Sequence, residues 1–192
     1  MTVAAVILAA GAGRRFSRSD PAAAPGAKLL FPLHGRPVVR WVIDAAAGAG
    51  LDEVVVVAGA AGLEGVVPTG VTLLRNEGWT AGQASSLRCA LEWCAEQGHD
   101  RAVVGLGDQP GLTPEAWRQV AWAAGGPIVF ATYDGRRGHP VGLDAEVWHR
   151  LPVSGEEGAR GLARRHPELV DEVACTGSPD DIDSPEDVTP WS

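Results

Sequence analysis

Short runs of apolar or β-branched residues alternate with helical patterns along this chain, and this alternation limits the fold more than any other feature. Such runs are typical of buried strands, and they occur at residues 3–8, 53–58, 71–75, 101–106, 128–132 and 169–174. Helical spacing or helix-capping signals occur between them, at residues 37–49, 83–97, 113 onward and 156–165. Strands that alternate with helices predict an α/β fold, with a mostly parallel sheet between two layers of helices.

Length, hydropathy and cysteine usage exclude several classes of protein. We expect one domain spanning residues 1–192, since this length suits a single hydrophobic core. The longest uncharged apolar stretch, residues 3–13, is too short to cross a bilayer and has no basic segment before it. We therefore expect neither a membrane span nor a secretory signal. Cys89, Cys94 and Cys175 form no C-x-x-C pair, which favours reduced thiols in a cytoplasmic protein.

The net charge of −8 is unevenly distributed. Residues 168–192 contain eight acids and no lysine or arginine, whereas residues 1–50 contain six basic residues and two acids. A basic region and an acidic tail in one small protein suggest a bound polyanion and a metal ion, although solvated surfaces explain such runs more often. The acidic balance argues against a protein that coats nucleic acid.

A glycine-containing loop directly follows the first predicted strand, at residues 8–13. Glycines at this position allow backbone N–H groups to approach phosphates, and Arg15 and Lys28 supply positive charge. Lys28 is the only lysine in the chain, which suggests a place for a compact ammonium rather than a wide guanidinium; a chance surface lysine is the alternative. Phe16 replaces the third small residue of a dinucleotide fingerprint, and Leu29 replaces the Ser or Thr of a P-loop.

Two groups of acids are candidates for metal binding. Asp108 follows the predicted strand at 101–106, and a second acidic group occupies residues 180–187. A hard divalent cation binds one or two carboxylates together with water and substrate phosphates. The alternatives are a turn residue at 108 and a solvated tail in which Ser184 caps a last helix. The pattern leaves open whether Asp181 or Asp183 would bind the ion.

Seven motifs, in order, carry a specific resemblance: Leu8-Ala-Ala-Gly-Ala-Gly-Arg-Arg-Phe, Lys28-Leu-Leu, Asn76-Glu-Gly-Trp-Thr-Ala-Gly-Gln-Ala-Ser-Ser-Leu, Gly107-Asp-Gln-Pro, Gly135-Arg-Arg-Gly-His-Pro-Val, Gly155-Glu-Glu-Gly-Ala-Arg and Asp181-Ile-Asp-Ser-Pro-Glu-Asp. From Val3 to about Val188, the chain resembles the molybdenum cofactor nucleotidyltransferase family, most closely its cytidylyltransferases. The resemblance implies a nucleotide-diphospho-sugar-transferase-like fold with three layers.

The resemblance also implies a set of site residues. The catalytic residues would be Arg15, Lys28 and Asp108, with Mg²⁺ held by Asp108 and Asp183. The nucleotide would be bound by Arg15, Lys28 and the following residues: Leu8, Ala9, Ala10, Gly11, Ala12, Gly13, Asn76, Gly82, Ser85 and Ser86. The acceptor would be bound by Gly138, His139, Pro140 and Arg160, although a structural role is as plausible for His139.

The reaction implied by the resemblance is transfer of CMP from CTP to the phosphate of molybdopterin or molybdenum cofactor, with release of pyrophosphate. The family's Leu-Ala-Ala-Gly form, present here at Leu8–Gly11, goes with CTP. The alternatives are a different phosphorylated acceptor, such as a sugar, polyol or other metabolite phosphate, and a non-catalytic module that delivers a cofactor. A molybdoenzyme or chaperone is a possible transient partner; nucleic acid and membrane are not expected partners.

Two departures from the family pattern affect these expectations. Arg15 and Lys28 are thirteen residues apart, farther than in the family, so the intervening segment must bulge outward for Lys28 to reach the phosphates. Glu156 stands where the family has aspartate, which affects the acceptor side more than the nucleotide side.

Overall fold

The computed structural model describes residues 1–13, 16, 24–184, 186 and 187. Its strands are β1 (Val3–Ala9), β2 (Pro32–Leu33), β3 (Arg36–Pro37), β4 (Glu53–Ala58), β5 (Thr72–Arg75), β6 (Arg101–Leu106), β7 (Ile128–Tyr133), β8 (Arg136–Asp144) and β9 (Val170–Ala174). Its α-helices are α1 (Ala27–Leu30), α2 (Val38–Gly48), α3 (Gln83–Gln97), α4 (Pro114–Trp122), α5 (Ala145–Trp148) and α6 (Gly158–Arg165). Across these described ranges, no helix has the length and apolar character needed to cross a membrane.

A seven-stranded sheet organises the described elements, in the order β5-β4-β1-β6-β8-β7-β9. Strand β8 is antiparallel to both of its neighbours, and the other neighbouring pairs are parallel. Successive β1 side chains point to opposite faces of the sheet. Val3 and Ile7 therefore pack in one core with residues of α2 and α4, whereas Ala4 and Val6 pack in a second core with residues of α3 and α6. The predicted three-layer, mostly parallel α/β fold is confirmed.

Several elements have the bounds that the sequence pattern predicts, and one long strand has no clear signature. The strands at 53–58 and 101–106 and the helix at 83–97 lie where they are expected. The Thr113 hydroxyl caps α4 by accepting a hydrogen bond from the Ala116 N–H at 3.1 Å. The sequence pattern does not predict strand β8, because its glycines, arginines and proline interrupt the apolar run. It is buried because two strands flank it and helix residues, such as Val120 of α4, pack against its face.

An irregularity in β8 shapes one side of the site. The pairing with β7 passes from Phe130 opposite Val141 to Ala131 opposite Gly138, so residues 139 and 140 are extra in β8. Pairing with β6 ends at Val104 opposite Val141. Bulges of this kind re-aim side chains and are frequent beside active sites. His139 therefore leaves the regular alternation of the strand where β6 and β8 separate.

Arg101 joins β6 to the end of α4 and supports a stability prediction. Its buried guanidinium donates hydrogen bonds to the carbonyl oxygens of Val120, Ala121 and Ala123, and it also pairs with the Asp144 carboxylate. Arg101→Met keeps an unbranched apolar stem but removes the guanidinium, which leaves these acceptors unpaired. We expect a loss of about 3 kcal/mol in the free energy of unfolding, measured by urea denaturation. Arg88→Met, which removes an exposed pair, is the control; equal losses in both variants would contradict this role.

Candidate functional site

A cleft of about 400 Å³ lies at the carboxyl ends of β1 and β6. The loop at residues 8–13, Lys28, Asp108 and the first turn of α3 line it. Ligands of open parallel sheets bind at this edge, because loops that leave neighbouring strands converge there. The fold therefore brings together motifs that are widely separated in the chain.

The loop after β1 is held in place by its neighbours. Leu8, Ala9 and Ala10 are buried, and the Ala10 carbonyl accepts a hydrogen bond from the Ala60 N–H at 3.1 Å. Space beside Ala10 is tight: a Cβ added to Gly59 would lie 2.7 Å from both the Ala10 and the Trp79 Cβ atoms. Gly11, Ala12 and Gly13 are more open and complete the predicted loop, with Gly13 at φ +64°. These constraints define the position of the backbone that faces the cleft.

Gly26 and the residues after it lie against the loop that follows β1. The Gly26 N–H donates to the Ala12 carbonyl at 2.8 Å, and α1 begins directly afterwards. Lys28 thereby returns to the loop, where its Cγ would lie 3.3 Å from a Cβ added to Gly13. Arg15, a predicted site residue, lies outside the described residues.

Lys28 occupies the centre of a charged cluster. Its Nζ lies 2.5 Å from Asp108 Oδ2 and 3.2 Å from Asp183 Oδ1, and the lysine side chain is only 12% exposed. Burial opposes the charged form of Lys28, but the two carboxylates outweigh this effect and raise its pKa. The two carboxylate oxygens are separated by no more than the sum of those distances, which suits carboxylates that share one ion.

The donor chemistry fits a hard divalent cation. Two carboxylates lie together beside an open cleft, and carboxylate oxygens are the protein ligands that Mg²⁺ and Mn²⁺ prefer. No group of three His, Cys, Asp or Glu residues suited to a metal occurs among the residues that the structure describes. Substrate phosphates and water would therefore have to complete the coordination.

The C-terminal segment, residues 175–187, positions Asp183. Ile182 is fully buried, and its N–H donates to the Asp108 carbonyl at 2.9 Å. The Asp187 carboxylate accepts hydrogen bonds from the N–H groups of Asp183 and Ser184, at 2.9 and 2.7 Å. Asp181 faces the other way, toward Gln109. Partial desolvation of its carboxylate raises the pKa of Asp181, and the nearby charge of Asp108 raises it further. Of the two tail acids left open by the sequence, Asp183 is the one beside Lys28.

The segment at residues 76–86 divides into residues that line the cleft and residues that support them. Gly82 and Ser86 line it. Asn76 is buried, and its amide donates to the hydroxyls of Ser85 and Ser86, each at 3.0 Å. Ser85 in turn donates to the Gly82 carbonyl at 2.8 Å. Asn76 and Ser85 therefore position the cleft wall and are absent from its lining.

A second cavity of about 210 Å³ adjoins the cleft, and we call it the inner cavity. It shares Leu8, Gln83, Leu106 and Glu156 with the cleft. Of the residues predicted on the acceptor side, His139 and Arg160 line it. Gly138 and Pro140 are buried in β8 and are not part of its lining; Gly138 packs against Pro179.

Several residues that line these cavities, among them Trp79, Gln83 and Gln109, are absent from the set of site residues that the resemblance implies. Trp79 lines the cleft, Gln109 lines the inner cavity, and Gln83 and Glu156 line both. The Glu156 carboxylate accepts a hydrogen bond from the Gln83 N–H at 3.3 Å, at the beginning of α3. These residues lie within the quoted motifs. The only sequence signal for them was their position in those motifs, beside predicted site residues.

A glycine loop at the end of β1, a buried lysine and two convergent carboxylates, Asp108 and Asp183, form a site that is typical of nucleotidyltransferases. Such a site neutralises and orients phosphates, which is most of what phosphoryl transfer requires of a protein. The MobA-like NTP transferase domain matches residues 5–170, and the chain belongs to this family. It is a nucleotidyltransferase enzyme, as the sequence predicts.

Relatives and solved structures support this family. The chain is 33% identical to nicotine blue oxidoreductase of Paenarthrobacter nicotinovorans over 96% of its own length and 93% of the relative. A nucleotidyl transferase from Methanothermobacter thermautotrophicus has the same fold, with a TM-score of 0.81, 24% identity and coverage of 98% and 95% of the two chains. Rv0371c of Mycobacterium tuberculosis gives a TM-score of 0.79 at 27% identity, covering 99% and 97%. That protein has also been solved as a complex with manganese.

Proposed function

We propose that this enzyme transfers CMP from CTP to the phosphate of a molybdopterin-type acceptor, with Mg²⁺ as its cofactor. A phosphate oxygen of the acceptor attacks the α-phosphorus in line, and the bond from that phosphorus to the oxygen bridging to the β-phosphorus breaks. The bridging oxygen leaves with pyrophosphate. The protein needs no general base, because a phosphate is already ionised near neutral pH. The observation that carries the proposal is the Lys28 ammonium held between Asp108 and Asp183.

The residues of the cleft have separate tasks in this proposal. The loop at 8–13 binds the triphosphate through backbone N–H groups, and Lys28 adds a compact positive charge, as does Arg15. Asp108 and Asp183 hold the divalent cation, which when bound supplies charge neutralisation on the phosphates. Gly82 and Ser86 face the nucleoside. Two convergent carboxylates argue against a module that only delivers a cofactor, since delivery has no need of them.

Ala10 is the residue that we propose to favour cytidine. Ala10→Gly removes a buried Cβ beside Gly59 and Trp79 and loosens the backbone. We expect the preference for CTP over GTP to fall by about 1–3 kcal/mol, the range of discrimination by pocket shape. The measurement is kcat/KM for each nucleotide. Ala12→Gly, in the same loop, is the control; an equal shift there, or a wild-type preference for GTP or ATP, would contradict the role of Ala10.

The decisive experiment is pyrophosphate release with each of the four NTPs, Mg²⁺ or Mn²⁺, and a panel of phosphorylated acceptors. We expect release only with CTP, a divalent cation and a molybdopterin-type acceptor. Release with a sugar or polyol phosphate would keep the chemistry and replace the acceptor. Because one relative is named an oxidoreductase, the panel includes nicotine blue together with a reduced nicotinamide nucleotide as electron donor, and a spectroscopic readout of nicotine blue reduction. Reduction without pyrophosphate release would overturn the proposal, since one fold can host unrelated chemistry.

A further inference from the structure

A third cluster of buried apolar side chains lies outside the two cores that cover the faces of the sheet, and we call it the third core. Its members are Phe16, which follows the loop at residues 8–13, Leu33 of β2, Val38 of α2 and Ile182 of the C-terminal segment, and each is at most 4% exposed. Close packing of side chains from segments so far apart in the chain holds those segments in fixed positions relative to one another.

Phe16 supplies the aromatic ring of the third core. Its ring centroid lies 5.3 Å from that of Phe31, with an angle of 67° between the ring planes, an edge-to-face arrangement that aromatic pairs favour. Phe16 is not among the described residues that line the cleft or the inner cavity. Its packing therefore holds the chain just after the loop at 8–13 and does not reach a ligand in the cleft.

Ile182 connects the third core to both candidate metal ligands. It is fully buried, and its N–H donates to the Asp108 carbonyl at 2.9 Å. The next residue, Asp183, places its Oδ1 at 3.2 Å from the Lys28 ammonium, which also contacts Asp108. Because adjacent residues share a rigid peptide plane, a displacement of Ile182 would move the backbone of Asp183 as well. The packing around Ile182 therefore controls the distance between the two carboxylates.

We propose that Phe16 is a positioning residue for the divalent cation. Through the third core it holds Ile182, and it thereby keeps the Asp183 carboxylate beside that of Asp108 without touching the ion itself. The inference rests on the proposed function, which assigns the cation to these two acids. Mg²⁺ demands ligand oxygens at about 2.0–2.1 Å in near-ideal geometry, so a small displacement of one carboxylate is enough to weaken binding. The same packing joins the chain beyond the loop at 8–13 to the metal ligands, which fixes the position of the triphosphate relative to the cation.

Binding of Mn²⁺ in the absence of nucleotide tests this role without requiring turnover. Phe16→Leu keeps an apolar side chain but leaves part of the third core unfilled. We expect Mn²⁺ to bind this variant at least about tenfold more weakly than the wild type, as is usual when a group that orients a metal ligand is lost. The measurement is electron paramagnetic resonance of free Mn²⁺, titrated with the full-length protein.

Val147→Ala is the matched control. Val147 is also buried, but it lies on α5, just beyond the end of β8 where Asp144 pairs with Arg101, at the edge of the sheet opposite the cleft. Both variants should lower the midpoint of thermal unfolding, on the order of 2–4 °C. Only Phe16→Leu should weaken Mn²⁺ binding, because distant sites act independently. If Phe16→Leu does not fold, Phe16→Met, which nearly conserves the side-chain volume, takes its place with the same expected direction.

Two further measurements separate positioning from packing alone. Saturating Mg²⁺ should restore the kcat of Phe16→Leu to within about twofold of the wild type, because the variant retains both carboxylates and loses only affinity for the ion. Ile182→Val, in the same core, should also weaken Mn²⁺ binding. The double variant should be weakened by less than the product of the two single effects, since residues that act through one contact are not additive.

The outcomes distinguish this proposal from the proposed function. An Mn²⁺ affinity of Phe16→Leu that equals the wild type, or that falls no more than in Val147→Ala, would overturn the positioning role alone, as would full additivity with Ile182→Val. Absence of pyrophosphate release with every NTP would contradict the proposed function, while Mn²⁺ binding would still decide the role of Phe16. If Asp183→Asn binds Mn²⁺ as tightly as the wild type, or if the wild type does not bind Mn²⁺, the metal site and the positioning role are both wrong.

Discussion

Asp108→Asn is expected to lower kcat by at least about 10²-fold, the scale of losing one preorganised electrostatic group. Asparagine keeps the size of the side chain but removes the charge that faces Lys28 at 2.5 Å and that would hold a cation. The fold should remain intact, because Asp108 follows the end of β6 and Lys28 keeps its second partner, Asp183. The measurements are pyrophosphate release at saturating CTP and Mg²⁺, and the midpoint of thermal unfolding.

Two further variants make the role of Asp108 specific. Asp180→Asn is the control, since this exposed acid of the same charge bonds to Ser178 at the surface and should leave kcat within about twofold, as surface changes usually do. Asp183→Asn should resemble Asp108→Asn, and the double variant should be little worse than either, because groups that act as a unit are not additive. Full additivity, or normal activity in Asp108→Asn, would contradict a shared metal site.

Lys28→Arg is expected to be nearly as damaging as Lys28→Met, with both lowering kcat/KM by about 10²-fold, or roughly 2.7 kcal/mol. The lysine stem runs close to Gly13, and the side chain is mostly buried. A planar guanidinium is wider than an ammonium and cannot take its place between oxygens. The measurement is steady-state kinetics with CTP as the varied substrate. If both variants behave like the wild type, the charge comes from the segment after Gly13, and Arg15→Ala should be the damaging change.

Lys28→Met should also change metal binding in the absence of nucleotide. The Lys28 ammonium lies between the two carboxylates that would hold the cation, and like charges at such short range repel. Lys28→Met should therefore bind Mn²⁺ about tenfold more tightly than the wild type, a change of about 1.4 kcal/mol, as measured by calorimetry. Arg75→Met, which removes an exposed pair with Glu64, is the control. Unchanged Mn²⁺ affinity in Lys28→Met would show that the ion binds elsewhere.

Local patterns in the sequence predict most of the fold. The β-branched runs at 53–58 and 101–106, the helical spacing at 83–97 and the Thr113 cap each depend on neighbouring residues, and each is found where it is predicted. The order of strands and helices then leads to a parallel sheet and places the loop at 8–13 at its carboxyl edge. The motifs likewise identify the family from the sequence alone, because the chemistry requires particular residue types at particular positions.

Long-range contacts decide the details of the site, and no local pattern encodes them. Lys28 and Asp183 are 155 residues apart, and they meet because buried Ile182 anchors the returning C-terminal segment to Asp108. The choice of Asp183 over Asp181 depends on that anchor. The orientation of Gln109 depends on the Pro179 carbonyl in the tail that lies across it. Each of these features exists only when distant segments pack together. The periodicity and capping residues of the separate segments therefore do not predict them.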